Sequence, residues 1–352
     1  MVIQEPHINF LHNTSANHHW HVLYPTQHYT HPQQWTRAVI LVSASLDTNM
    51  WKQISFPSSD VIILQLSGPY GRCTIFNIYN DGNSQTMLTA IDSFLEHNID
   101  SIKTADNDHM IWLGDFNRHH PTWEDIRNRH LFNYAAAQPL IDLIADYGML
   151  QLLPGGIPTL QSTSTGNWTR PDNVFGTEQL LDAVVSCEMA PELCGPKTDH
   201  VPILLTLELE IPRVDLEPRR NWREVDWEAF TEHLSTRIST SPALPLASND
   251  EFQAAARHFT QAVTDTIEAY VPYSRPCPHS KRWWTRQLTK LQDQVKVLSK
   301  LAYQMRGLPL HACHEELTAA RRQYADEITS TKKQHWVDWL KDIEGNDLWT
   351  AN

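Results

Sequence analysis

The chain has 352 residues, a formal net charge of −13 and 41% hydrophobic residues, enough to bury the core of one large domain and of a second, smaller unit. No apolar run approaches the roughly 18 residues of a membrane span, and the first five residues lack the basic and apolar stretches of a secretory signal, so a soluble intracellular protein is expected. Five cysteines (Cys73, Cys187, Cys194, Cys277 and Cys313) include no Cys-x-x-Cys pair, which argues against a zinc knuckle or a disulfide framework and for free thiols.

Along residues 1–210, β-like apolar runs at 37–43, 60–66, 73–79, 110–113 and 180–186 alternate with helical spacing at 84–98 and 139–147, the second closed by Gly148 as a C-cap. This order predicts a layered α/β or α+β domain. Residues 212–218 read as a linker. Beyond them the pattern is helical, at 227–238, 250–270, 283–305 and 314–339, broken by Pro and Ser clusters at 239–245 and 272–278. The charge divides at the same place. Residues 1–210 hold 9 Lys and Arg against 22 Asp and Glu, which accounts for the whole net charge, and the remainder is balanced. Such an acidic surface makes only modest intrinsic affinity for DNA expected of the first unit, because phosphate contacts supply most of that affinity.

The chemistry concentrates at two motifs. Gly114-Asp115-Phe116-Asn117 follows the buried-strand run at 110–113, and alternation along a strand would point Asp115 and Asn117 to the same side. Asp199-His200 precedes a second strand-like run at 201–209 and can deliver a carboxylate and an imidazole to the same rim. Phosphodiester hydrolysis needs this kind of set: carboxylate oxygens for a hard cation, a base for water, and donors for the charge that develops on phosphate. A turn after a strand would also use Gly, Asp and Asn.

Gln4-Glu5-Pro6, Asn77-Ile78-Tyr79-Asn80, the run from Gly114-Asp115-Phe116-Asn117 through Arg118-His119-His120-Pro121, Thr169-Arg170-Pro171-Asp172 and Thr198-Asp199-His200 occur in this order. Residues 1–210 thereby resemble the endonuclease/exonuclease/phosphatase (DNase I-like) superfamily, in particular the endonuclease domain of fungal non-LTR retrotransposon polyproteins. The resemblance implies a four-layered α/β sandwich of two packed sheets flanked by helices over residues 1–211, a linker at 212–220 and a helical connector at 221–352. It implies Mg2+- or Mn2+-dependent nicking of DNA that leaves a 3′-hydroxyl to prime reverse transcription. The reverse transcriptase itself would be absent from this chain, and the setting would be nuclear.

The resemblance also implies roles for individual residues. Glu5 would hold the metal, with Asp199 completing the acidic cluster. Tyr79 would reach the scissile phosphate. Asp115 would orient or deprotonate the attacking water, Asn117 would hold that water or a non-bridging oxygen, and Asp172 would orient the imidazole of His200. Two features depart from the family's pattern. A strand ending in a metal-site asparagine normally precedes the glutamate, but only four residues precede Glu5, so that first strand is expected to be missing. Pro171 and Asn173 also flank Asp172 where aliphatic or aromatic residues are usual.

Other features have plainer readings. The histidines at 12, 18, 19, 21, 28 and 31 match no zinc spacing and read as an irregular polar loop. His119 and His120 suit either a substrate contact or a loop-structuring role. Lys281, Arg282, Trp283, Trp284, Arg286 and Lys290 interleave base and aromatic, but an amphipathic helix with Trp in its core is the preferred reading. Three further readings of the whole chain stay open: another superfamily phosphoesterase, acting on abasic sites, inositol lipids or sphingomyelin; a non-catalytic binding module; and a retroelement remnant that does not fold stably.

Overall fold

The computed structural model describes residues 1–210, 220–222, 225–239, 247–273 and 283–342. The expected linker apart from Arg220, most of the Pro and Ser clusters, Cys277, Lys281 and Arg282 lie outside the described residues. In chain order the strands are β1 (Val2–Gln4), β2 (Trp20–Leu23), β3 (Ala38–Ser43), β4 (Trp51–Ile54), β5 (Val61–Gly68), β6 (Gly71–Tyr79), β7 (His109–Asp115), β8 (Met149–Gln151), β9 (Leu160–Gln161), β10 (Trp168–Thr169), β11 (Asp172–Thr177), β12 (Val184–Met189) and β13 (Ile203–Leu207). The helices are α1 (Thr86–Ile102), α2 (Tyr134–Asp146), α3 (Trp227–Ser239), α4 (Asn249–Tyr270), α5 (Arg286–Gln304) and α6 (Cys313–Asp342).

The apolar runs become a six-stranded sheet in the order β4-β5-β6-β7-β11-β8, antiparallel except for β6 and β7. That parallel pair is joined through α1, as a parallel connection needs a crossover. Both faces of the sheet are covered, so its strands bury successive residues instead of alternating apolar with polar. Val61, Ile63, Phe76, Ile78 and Trp112 pack with Leu88, Ile91 and Leu95 of α1 and Leu140 and Leu143 of α2. On the opposite face, Ile62 and Leu64 meet Ile40 and Val42 of the three-stranded sheet β1-β3-β2. Farther along, Ile111 and Val174 meet Ile203 and Leu205 of the β12-β13 pair. The result is the expected α/β architecture of packed sheets with helices.

Several boundaries differ from the sequence reading for physical reasons. The helix expected from Pro139 begins five residues earlier, where the Asn133 side chain caps it by accepting from the Ala136 N–H at 3.0 Å. Pro139 leaves the Ala135 carbonyl without its helical donor, and Gln85 Nε2 reaches that oxygen at 3.4 Å. Gly148 adopts the expected left-handed C-cap, φ +59°. The run expected as a strand from residue 180 starts as the 3₁₀ turn Glu178–Ala183, and only β12 beyond it pairs. The early histidine-rich stretch is not wholly irregular. His21 lies in β2, and His28 is buried, its ring nitrogens bonded to Thr36 Oγ1 and the His12 carbonyl, both at 2.6 Å.

Two compact units result, residues 1–214 with 281–352 and residues 215–280. The stretch expected as one connector at 221–352 is thus divided between them. In the smaller unit α4 starts with a capping box of Ser248 and Glu251, and Arg220 lies 3.7 Å over the Tyr273 ring. In the larger unit α5 and α6 form a hairpin around Leu288, Leu291, Val295, Leu317, Ala320 and Tyr324, with Trp283 and Trp284 packed against it. The four described cysteines are free thiols. Among the described residues no helix is long and apolar enough to cross a membrane.

Candidate active site at one edge of the central sheet

Tyr79 closes β6, Asp115 closes β7 and Asp172 opens β11, and the strand registers set them side by side: Tyr79 opposite Asp115, and Asp115 opposite Asp172. Each is an even number of residues from Ile75, Ile111 or Val174, so all three point to the face covered by the second layer of strands. Gly114 permits this register. It sits between Ile78 and Asn173 at φ +141°, and a Cβ there would come within 1.9 Å of the Ile78 carbonyl oxygen.

Asn117 arrives by a different route from the one strand alternation suggests. β7 ends at Asp115, the Phe116 N–H donates to the Pro171 carbonyl at 3.0 Å, and Asn117 turns into the left-handed region at φ +49°, which asparagine tolerates. Its backbone N–H donates to Asp115 Oδ1 at 3.0 Å, while its side-chain amide donates to the Asn80 carbonyl at 3.1 Å. Asn117 is therefore beside Asp115 as expected, although the strand period no longer applies.

His200 closes the group. Its Nδ1 lies 2.8 Å from Asp172 Oδ2, and the Thr159 hydroxyl donates to the same oxygen at 2.6 Å. The backbone fixes this segment through the bridge between Leu160 and His200, Val201 N–H to Thr159 C=O at 2.7 Å, and Gln161 N–H to Asp199 C=O at 3.0 Å. Asp115 is 6% exposed. Burial, reinforced by the facing Asp172 carboxylate and only partly offset by His200 and Asn117, pushes its carboxyl up to about 7. For His200 burial acts to lower the pKa, but the Asp172 hydrogen bond and charge, with Asp115 and Asp199, outweigh it and raise the imidazole to about 9. Near neutrality the edge holds an imidazolium between carboxylates, one of which can exchange a proton.

Glu5 follows β1 in a left-handed conformation, φ +47°, its N–H bonded to the Arg37 carbonyl at 2.8 Å. Its carboxylate acts on the Tyr79 phenol. Burial first, then Glu5, raise the Tyr79 phenol to about 12 against the opposing pull of Arg37. The Arg37 guanidinium lies 5.0 Å from the Tyr79 ring centroid and pairs with Asp81 at 3.5 Å. Asp199 is half-buried, and its charge acts on His200.

Among the described residues no three His, Cys, Asp or Glu side chains are grouped closely enough to form a metal cage. The donors present still suit a hard cation. Glu5 and Asp115 both act on the Tyr79 hydroxyl, their ligating atoms are oxygens, and Asp115 faces a second carboxylate, Asp172, across the strand pair. Mg2+ is commonly held by one or two carboxylates with waters and substrate phosphate completing its shell.

Thr159 and Arg37 are contacts that the sequence reading missed, since neither stands in a motif and both meet the site only through tertiary packing. A second omission is the support beneath the loop after Asn117. Buried Glu124 accepts from His119 Nδ1 at 2.8 Å, Asn128 Nδ2 at 2.8 Å and the Arg170 N–H at 2.9 Å. The Arg170 guanidinium, wholly buried, binds Asn173 Oδ1 and the Leu153 and Pro154 carbonyls. His119 thus structures the loop, and His120 bonds Thr122 Oγ1 at 2.8 Å.

In comparisons with known proteins, residues 73–204 match the endonuclease-reverse transcriptase family. No curated protein matches the chain in sequence. Among solved structures the chain is similar to the endonuclease domain of TRAS1, a telomere-specific non-LTR retrotransposon, at 18% identity over 59% of this chain and 85% of that one, TM-score 0.45. It is also similar to the 3′ phosphatase NExo from Neisseria, at 17% identity over 54% and 80%, TM-score 0.41. A third similar structure is the AP endonuclease LMAP from Leishmania major, at 14% identity over 55% and 72%, TM-score 0.43.

Proposed function

The chain belongs to the endonuclease/exonuclease/phosphatase superfamily, and from that premise we propose that it is a divalent-metal-dependent DNA endonuclease of the retrotransposon type. It nicks nuclear DNA and leaves a 3′-hydroxyl from which a reverse transcriptase primes. The observation that carries this reading is the row Tyr79, Asp115 and Asp172 across three adjacent strands, with His200 hydrogen-bonded to its end.

In this reading Asp115, whose carboxyl titrates near neutrality, takes the proton of the attacking water as the oxygen–phosphorus bond forms. Asn117, fixed beside it, holds that water or a non-bridging oxygen. Asp172 keeps the His200 ring in one orientation through Nδ1, leaving Nε2 to face the negative charge that develops on phosphate. The Tyr79 hydroxyl is a further donor toward phosphate, kept protonated across the working range. Glu5 and Asp115 would offer carboxylate oxygens to Mg2+ or Mn2+, with waters and substrate phosphate completing the shell and Asp199 adding negative charge beside His200. When bound, the ion polarises the phosphate and neutralises charge on it.

Supercoiled plasmid offers the direct test. With Mg2+ the full chain is expected to convert it to open circles whose nicks a DNA polymerase extends without phosphatase treatment. Relaxation that persists undiminished in EDTA, or nicks that cannot be extended, would rule this function out.

A further inference from the structure

α5 and α6 follow every motif that bears on the chemistry, yet two of their side chains reach the segments that hold His200. Tyr303, near the end of α5, donates its hydroxyl to the Pro158 carbonyl at 2.9 Å, and its ring meets Trp168 edge-on with centroids 5.5 Å apart. Pro158 is joined to Thr159, whose hydroxyl bonds Asp172 Oδ2 and whose carbonyl takes the Val201 N–H. From the other side the charge of Arg321 on α6 acts on the Cys194 thiol, whose Sγ lies 3.7 Å from the His200 carbonyl oxygen. α5 also packs on the short turn Pro191–Leu193 just before Cys194.

The loops so braced have little structure of their own. β9 and β10 pair over only two residues each, and so short a ladder is marginal without tertiary support. Thr159 stands immediately before β9 and must stay within hydrogen-bond reach of Asp172 for the carboxylate to remain aimed at His200. Burial pushes the Tyr303 phenol up to about 12, so it remains a hydrogen-bond donor wherever the nuclease would work.

We propose that Tyr303 is a positioning residue for the Asp172–His200 pair, acting through Pro158 and Thr159, so that the α5–α6 hairpin is a working part of the nuclease and not a spacer behind it. The kinetic half of this inference rests on the nuclease reading above; the structural half does not.

The test uses the full chain with Tyr303→Phe, which keeps the ring against Trp168 and removes only the hydroxyl. Tyr324→Phe, which removes a hydroxyl from the core of the same hairpin, is the comparison. Hydrogen exchange is expected to speed up several-fold at the Thr159 and Val201 amides in Tyr303→Phe, with β5 and β6 unchanged, and not in Tyr324→Phe. Mg2+-dependent nicking by Tyr303→Phe is expected to lose about 3- to 10-fold in kcat at unchanged KM, as displacement of an oriented group does. Unchanged exchange at Thr159 and Val201 would overturn the proposal, as would faster exchange that extends equally to β5 and β6 or appears equally in Tyr324→Phe. A chain that shows the local exchange effect but never nicks DNA would uphold the positioning and refute the nuclease reading.

Discussion

Asp115 is placed where its charge is unwelcome, buried and directly across from Asp172. Its carboxyl is raised from an ordinary value of 3.8 to about 7, so the folded chain binds that proton more tightly than the unfolded chain does. Its favourable contribution is present in acid and is lost as pH rises from about 4 to about 7. Asp115→Asn is therefore expected to abolish nicking while raising stability above neutral pH by on the order of 1–2 kcal/mol, read as a higher Tm. His200 has the same sign. Its stabilising contribution is complete below about 6.5 and disappears as pH rises through about 9. For activity the two oppose each other, because Asp115 must lose its proton and His200 must keep its own. kcat/KM for nicking is expected to rise through about pH 7 and fall through about pH 9, with a bound cation moving the acidic limb downward. Asp172→Asn removes what chiefly raises His200, so its alkaline limb is expected at lower pH. The carboxylates and imidazole of this site were legible as motifs. The route of Asn117 was not, because the period of a strand stops applying where β7 ends, and Thr159 was not, because nothing near it in sequence announces a contact with Asp172.

The central sheet was the readable part among the elements, because a strand buried on both faces is an apolar run whatever its neighbours are. β1, β2 and β4 are three or four residues long and half-buried, too short and too mixed to show a period. β1 matters because it delivers Glu5 to Tyr79, and it is tied to β6 by Gln4 Nε2 donating to Asn77 Oδ1 at 2.6 Å and Asn77 Nδ2 reaching the Ile3 and Val39 carbonyls. Gly114 is the element-scale counterpart of the row Tyr79, Asp115 and Asp172. Gly114→Ala would drive a Cβ into the Ile78 carbonyl and hold alanine at φ +141°, so β6 and β7 would have to part at the row of site residues. A loss of at least about 3 kcal/mol is expected, seen as a Tm many degrees lower or as no soluble folded protein. Gly148→Ala, with φ +59° but no atom within 4 Å of the added Cβ, should cost about 1 kcal/mol by the same measurement.

For the whole molecule the acidic balance limits how it can hold a polyanion. Residues 1–210 carry all of the net charge of −13, and two of their nine cations, Arg118 and Arg170, are buried. Few phosphates can be neutralised directly. If residues 1–210 alone hold the duplex, binding followed by anisotropy is expected to weaken with salt at a slope of only about −2 to −4 on logarithmic axes, and a slope near −8 would mean that the 19 Lys and Arg of the remainder also contribute. The division into two compact units was not legible, since the helical periodicity of α3 and α4 looks like that of α5 and α6, and only tertiary contacts assign the latter pair to the larger unit. The central claim is that Asp115 and His200 form one catalytic site. The measurement that tests it most directly is the initial rate of Mg2+-dependent plasmid nicking by the full chain, by Asp115→Ala and by His200→Ala. The expected result is nicking by the native chain that falls at least about 100-fold in each variant; a variant that nicks at the native rate would contradict it.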